Sequence, residues 1–221
     1  MNQEPDYGTK CGAVGQPNGR LVLASSSPRR KDLLEGLGLQ FEIIPSTLEE
    51  IVDPKLSVQE VVLNLAKQKA VDVFERELAR EPEHPLLVLG ADTIVVLHGE
   101  YLGKPVDKKD ACAMLRALSG KTHEVFTGVY LVASLAGVRQ TWHSVERSAV
   151  HFRQLGEIEI RAYVETGEPM DKAGAYALQG IGAALVEKIV GSHTNIVGLP
   201  IPNVVSLLRQ AGYGILGLPQ S

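Results

Sequence analysis

The chain has 221 residues, 44% of them hydrophobic, with a formal net charge of −4 and a pI near 5.9. That length and composition allow one substantial core or two small lobes. The negative balance excludes a general basic field for nucleic acid, so any anion site must be local, and no apolar run approaches the roughly 20 residues of a membrane span.

Met1–Gly19 is polar and glycine-rich, with acidic residues, little arginine and no apolar stretch. It reads as a disordered leader, neither a secretory signal nor a transit peptide, and one folded domain is expected over residues 20–217. The two cysteines, Cys11 in the leader and Cys112 in a helical stretch, argue for a reducing, cytoplasmic setting rather than a structural disulfide.

Leu21–Ala24 reads as a buried strand. Pro28–Gly36 reads as a helix with Ser27 at its N-cap, Pro28 at its first position and glycine at its end. Phe41–Pro45 looks like a second strand. Ser57 is placed to cap a long helix over 58–80, whose apolar positions Val61, Val62, Leu65, Ala66, Ala70, Val73 and Leu78 keep helical spacing. Pro82 and Pro85 break the chain. Leu86–Leu97 then reads as a central strand, with an interruption at Gly90–Thr93 left open, and His98-Gly99-Glu100 as a hairpin turn. A helix over Lys108–Leu118 precedes two long strands, Val125–Ala136 and Arg139–Phe152, joined near Gly137. A helix over Glu157–Thr166, a strand over Leu185–Val190 and a helix over Asn203–Ala211 complete the order. Strands alternate with helices around one long hairpin, which implies an α/β fold with a mixed sheet rather than a purely doubly wound one.

Four stretches carry chemical signals. In Ala24-Ser-Ser-Ser-Pro-Arg-Arg30 a strand runs into a helix start, whose free N–H groups and partial positive charge suit a phosphate. Arg29 and Arg30 add permanently charged forks that match phosphate oxygens. Alone, the run is equally readable as a turn with two solvated arginines. In Gly90-Ala-Asp-Thr-Ile-Val95 an aspartate interrupts an apolar strand, where carboxylates are seldom buried without a partner. Asp92 is then either a general base or metal-holding carboxylate, or an acid that caps a bulge or pairs with a core lysine. Its small neighbours would let a ligand approach the backbone. The third signal is Lys69, Lys104 and Lys172, able to neutralise a polyphosphate. The fourth is Asp171–Gly180, whose glycines and alanines suggest backbone packed against a ligand, with the Gln179 amide able to read a base edge. Asn195 and His193 are weaker candidates, His193 reading as a surface residue. No Walker loop, HExxH, CxxC or GxSxG occurs.

Five of these motifs, taken in order, resemble the Maf family of nucleotide pyrophosphatases. They are Ala-Ser-Ser-Ser-Pro-Arg-Arg, Leu-Gly-Ala-Asp-Thr-Ile-Val, Gly-Lys-Pro-Val-Asp, Leu-Ser-Gly-Lys-Thr-His-Glu-Val-Phe-Thr-Gly-Val and Glu-Pro-Met-Asp-Lys-Ala-Gly-Ala-Tyr-Ala-Leu-Gln-Gly. The likeness spans about Leu21 to Ala211. It implies a Maf/Ham1-like fold, a mixed sheet with helices and two lobes around a central cleft. It implies hydrolysis of a nucleoside triphosphate to the monophosphate and pyrophosphate with a divalent metal, Mg²⁺ or Mn²⁺; the oligomeric state is not given by the sequence, and a homodimer is carried as one option. Asp92 corresponds to the family's base and Glu50, beside Glu49, to its metal-associated acid. Arg30, Lys69 and Lys104 correspond to its phosphate-binding residues, so Asp92, Lys69 and Lys104 form the expected catalytic set. Arg29, Thr93 and Gln179 match the branch acting on dTTP and UTP. Ser25, Ser27 and Lys172 join them as expected substrate contacts. Gly103 departs from the family, in which many members have Glu before the Lys-Pro pair. The alternatives are a 7-methyl-GTP-type pyrophosphatase and a non-catalytic nucleotide-binding regulator of division.

Overall fold

The structure, a computed structural model, describes residues 19–53, 55–81 and 84–214. The leader up to residue 18, Cys11, Pro82 and residues 215–217 lie outside the described residues. Among the described residues no helix is long and apolar enough to cross a membrane.

Strand β1 (Arg20–Leu23) leads into α1 (Pro28–Glu35), and a short β2 (Glu42–Ile43) follows. Helix α2 (Val58–Arg80) starts on a complete capping box, in which the Ser57 hydroxyl accepts from the Glu60 amide and the Glu60 carboxylate accepts from the Ser57 amide. Strand β3 (Leu86–Leu97) runs through Gly90–Thr93 without interruption. It turns at His98 and Gly99, both at positive φ as a tight primed hairpin needs, into β4 (Glu100–Leu102). Helix α3 (Lys108–Leu118) is capped by Asp107. Strands β5 (Thr122–Leu135) and β6 (Val138–Phe152) form the long hairpin, and α4 (Glu157–Glu165) follows. Three short 3-10 turns (Glu168–Asp171, Ala173–Ala175 and Ile181–Leu185) lead to β7 (Val186–Val190). A five-residue helix α5 (His193–Val197), too short to leave a periodic signal, and α6 (Ile201–Gln210) close the fold. Helix α1 does not end in a left-handed glycine at Gly36, which stays right-handed; Gly38 takes the positive φ.

One mixed sheet holds the strands in the order β2-β1-β3-β5-β6-β7, with β4 also on β3. Strands β2, β1 and β3 are parallel and the other pairs antiparallel. Alternation along β3 assigns the faces. Leu86 and Val88 face α2 and pack with Val73 and Phe74. Leu87, Leu89 and Ala91 face the other way, into a cluster with Leu34, Leu199 and Leu208. Val95 and Leu97 share that second face but join a different cluster, built on Leu115, Leu118, Ile160 and Tyr163. Thr93 stands between the two clusters, and its register partner Thr127 stands between Val129 and Val125 in the same way. A polar stripe thus splits one face of the sheet into two apolar lobes, as the Maf/Ham1-like expectation requires.

The sheet also has a gap. Strand β1 pairs with β3 only up to Leu89, and β4 pairs only from Val95 onward. Residues 90–94 of β3 therefore face an open edge just beyond the carboxyl end of β1, the position where α/β sheets place ligands.

Candidate active site

A cavity of about 690 Å³ opens at this gap, lined from both lobes. Its charged lining residues are Arg29, Arg30, Lys69, Lys104 and Lys172 against Glu50, Asp92 and Asp171, a surplus of two positive charges in a chain whose net charge is −4. Local charge and global charge have opposite signs, so the cleft selects an anion that the rest of the surface repels.

The turn from β1 to α1 supplies one wall. Ser27 occupies the N-cap position of α1 but its side chain makes no cap bond; instead the Ser25 hydroxyl accepts from the Ser27 amide at 3.2 Å. Arg30 is held by three neutral acceptors. Its Nε donates to the Gly198 carbonyl at 2.8 Å, one Nη to Ser25 at 3.3 Å and the other to Thr93 at 3.1 Å. Burial pushes the Arg30 pKa below the ordinary guanidinium value, opposed by the nearby Asp92 charge. Three of its five N–H groups are committed, and the remaining two are free for an incoming oxyanion. The Thr127 hydroxyl donates to the Asn195 carbonyl at 3.1 Å, so the 2.9 Å contact between Thr93 and Thr127 has Thr93 as donor. A directional chain from Arg30 through Thr93 and Thr127 fixes the guanidinium against the polar stripe. Thr93, expected as a substrate contact, lines the cavity and also supports Arg30. Asn195 is fully buried and ties α5 to Val125 and Ser148; His193 is exposed. Neither lines the cavity.

Helix α2 crosses the sheet at two glycines. A Cβ on Gly90 would lie 2.3 Å from the Ala66 carbonyl, and one on Gly128 2.5 Å from the Val62 backbone. Gly90, two residues before Asp92, therefore admits the α2 backbone. This close approach brings Lys69 to Asp92, with Nζ 2.5 Å from Oδ1, while Glu50 reaches the same Nζ at 2.8 Å. The structure realises the lysine pair foreseen as an alternative for Asp92, and places the pair in the cavity wall. Glu50 lines the cavity and Glu49 does not, which settles which of the two acids faces it. Among the described residues no group of three or more acidic, His or Cys side chains is arranged to hold a metal ion. The two hard carboxylates that converge on Lys69 still suit a divalent cation such as Mg²⁺, which takes few protein ligands and shares phosphate oxygens.

The opposite wall is the segment after α4. Lys172 is held by the Glu168 carbonyl at 2.6 Å and by Asp171 at 2.5 Å, and Arg29 reaches Asp171 from α1 at 3.1 Å, bridging the two lobes. Lys104 is exposed at the rim and makes no ion pair with the described residues. Gly103, where many family members have an acid, has open space where a Cβ would be. Gln179 is exposed on the cavity lining, and its amide makes no hydrogen bond to the described residues. Two glycines near it, Gly180 and Gly182, lie against protein groups. A Cβ on Gly180 would lie 2.6 Å from the Glu168 carboxylate, and one on Gly182 2.5 Å from the Tyr163 hydroxyl. Glu168 and Tyr163 were not foreseen; an acid before proline reads only as a helix start.

A family model described as Maf-like protein matches residues 20–211. The chain belongs to the Maf family. Curated relatives agree with this. The dTTP/UTP pyrophosphatase of Hahella chejuensis is 50% identical over 196 residues, covering 89% of this chain and 94% of that protein. That of Caldicellulosiruptor saccharolyticus is 45% identical over 197 residues, covering 89% and 97%. That of Anaeromyxobacter dehalogenans strain 2CP-1 is 49% identical over 194 residues, covering 88% and 95%. The Maf match takes in both walls of the cleft, from the serines after β1 to the loop that carries Gln179.

Proposed function

We propose that this chain hydrolyses dTTP and UTP to the monophosphate and pyrophosphate. The observation that carries the reading is the cationic cleft, with its surplus of two positive charges around Asp92. It suits a triphosphate, and the names of the relatives supply the nucleotides.

In this reading Arg30 and the exposed start of α1 bind phosphate oxygens, and Lys104 and Lys172 balance the rest of the charge. The triphosphate competes for Lys69, which Asp92 and Glu50 share in the free protein. Asp92 orients a water and takes its proton, and the water oxygen bonds to the α-phosphorus. The bond to the bridging oxygen breaks, and the electron pair leaves on pyrophosphate. Glu50 and Asp92 would hold the divalent ion, Mg²⁺ or Mn²⁺, which supplies charge neutralisation at the phosphates. Val95, Val125 and Tyr176 give the cavity an apolar wall for the nucleoside. Val95 lies three residues along β3 from Asp92, a distance of roughly 10 Å at strand rise. Gln179 donates to and accepts from the O4/N3–H edge shared by uracil and thymine. The reading includes a cytoplasmic setting, in keeping with a chain of two cysteines, and a homodimer, checked by light scattering. It assigns no nucleic-acid or membrane partner.

The test is a panel of nucleoside triphosphates with Mg²⁺ or Mn²⁺, scored for pyrophosphate against orthophosphate. Pyrophosphate from UTP and dTTP is expected. Direct release of orthophosphate would place the cleavage elsewhere, and preference for a methylated purine nucleotide would move the chain to the alternative branch.

A further inference from the structure

Gln179 sits on an arc of irregular chain, and regular structure does not fix where it points. The arc is pinned on both sides by Tyr163 in α4 and Glu168 in the 3-10 turn that follows it. The Tyr163 hydroxyl accepts from the Ala177 amide at 3.1 Å and donates to the Glu168 carboxylate at 2.9 Å. The same carboxylate accepts from the Ile181 amide at 3.0 Å and the Gly182 amide at 2.8 Å. Residues 177 and 181–182 thus hang on one tyrosine–glutamate pair, and 178–180 form the loop between them. The backbone is built for this. Gly180 has φ +86° and lies against the carboxylate, and Gly182 lies against the tyrosine hydroxyl, so neither position accepts a Cβ. Burial opposes the Glu168 charge, but the amides of Gly182 and Ile181, the Tyr163 hydroxyl and nearby Lys172 hold its carboxyl below the usual carboxylate range. The Glu168 main-chain carbonyl also fixes Lys172.

We propose that Glu168, with Tyr163, is a positioning residue for nucleobase selection: its carboxylate clamps the two feet of the loop so that Gln179 presents its amide to the base. The proposal rests on the base-reading role of Gln179. Glu168 lies outside the cavity lining. Three donors converge on one ionised carboxylate, and a carboxamide of the same shape cannot satisfy them, because its NH₂ would face an N–H.

The experiment measures kcat/KM for UTP and GTP in wild type, Glu168→Gln, Gln179→Ala and the double variant. The wild-type arm tests the base-reading role itself: equal rates on UTP and GTP defeat that role and the clamp with it. Given a pyrimidine preference, Glu168→Gln is expected to reduce the UTP/GTP ratio roughly 5- to 100-fold, the range for losing a buried hydrogen-bond arrangement. In the Gln179→Ala background the same substitution should leave the ratio unchanged, because the amide it positions is gone. Tyr163→Phe removes one link of the pair and should lower the ratio in the same direction by less; it carries the test if Glu168→Gln does not fold. Equal losses on both nucleotides, or a ratio change that persists in the Gln179→Ala background, would overturn the clamp.

Discussion

At the charged end of the cleft, Arg30, Asp92 and Lys69 sit on a helix, a strand and a second helix, and each is tied to another side chain. At the loop end, Gln179 has no side-chain partner among the described residues, and its loop is held through the main-chain amides of residues 177, 181 and 182 bound by Glu168 and Tyr163. The first arrangement fixes charge before a ligand arrives, which suits groups that must act on one phosphorus atom. The second fixes a short arc of backbone and leaves its side chain free for the ligand. On the proposed roles, chemistry and selection fall at different ends of the cleft, and substitutions at the two ends should give different kinetic signatures.

The largest effect is expected at the charged end. Asp92→Asn keeps the shape but removes the proposed base, so kcat for UTP should fall about 10²- to 10⁴-fold while nucleotide binding persists. Steady-state pyrophosphate release and a binding titration measure the two terms. A variant turning over at close to the wild-type rate would take Asp92 out of the chemistry and leave it as the partner of Lys69.

The next effect tests the support behind the loop end. His123 is 1% exposed, and its Nε2 lies 2.8 Å from the hydroxyl of Tyr176, which lines the cavity. Burial first, and then nearby His151, lower its pKa from 6.5 to about 4. The unfolded chain therefore binds the proton more readily than the folded one. Stability is fully present above pH 6.5 and is lost as pH falls toward 4, by about 3 kcal/mol over the window. Urea unfolding from pH 7.5 to 4 should show a shallower decline in His123→Gln than in wild type. Parallel declines would mean that other groups set the acid response.

Gln179→Glu probes selection directly. A carboxylate accepts from a guanine donor edge but cannot donate to O4. UTP and dTTP hydrolysis should therefore weaken by about 1–3 kcal/mol in kcat/KM, while purine triphosphates lose less or gain. Equal losses across the panel would give Gln179 a merely structural role, a role that the free amide in this structure does not favour.

The difference between the two ends also explains what was legible in the sequence. Helix α2 showed its cap at Ser57 and its face in Val61, Val62 and Leu65; strand β3 showed itself as a long apolar run whose continuity through Gly90–Thr93 only the structure established. Asp92 stood out because a carboxylate in such a run is costly. The convergence of Lys69, Glu50 and Asp92 was not visible without the family likeness, because it depends on α2 crossing at Gly90, a contact between distant residues. The loop end was read less well. Its glycines signalled close packing, but composition does not say against what, and the partners proved to be Glu168 and Tyr163. Helix α5 went unread for a related reason: five residues hold little more than one turn, and its Ser192 cap looks like any loop serine.

The smallest predicted effect asks whether the charged end is as rigid as this contrast implies. Helix α2 carries Lys69, and its first turn is closed by Ser57 and Glu60, whose carboxyl is held below its usual value by the Ser57 hydroxyl and amide. Ser57→Ala removes the cap and should cost about 1 kcal/mol, lowering Tm by roughly 2–4 °C for a domain of this size. Lys69 lies more than three turns further along, and the crossing at Gly90 and Gly128 holds the intervening helix against the sheet. Fraying at the cap should therefore stop before it reaches the site, and kcat for UTP well below Tm should match wild type. A fall in kcat with Tm unchanged would show that the start of α2 transmits to Lys69. The charged end would then be as dependent on a remote clamp as the loop that carries Gln179.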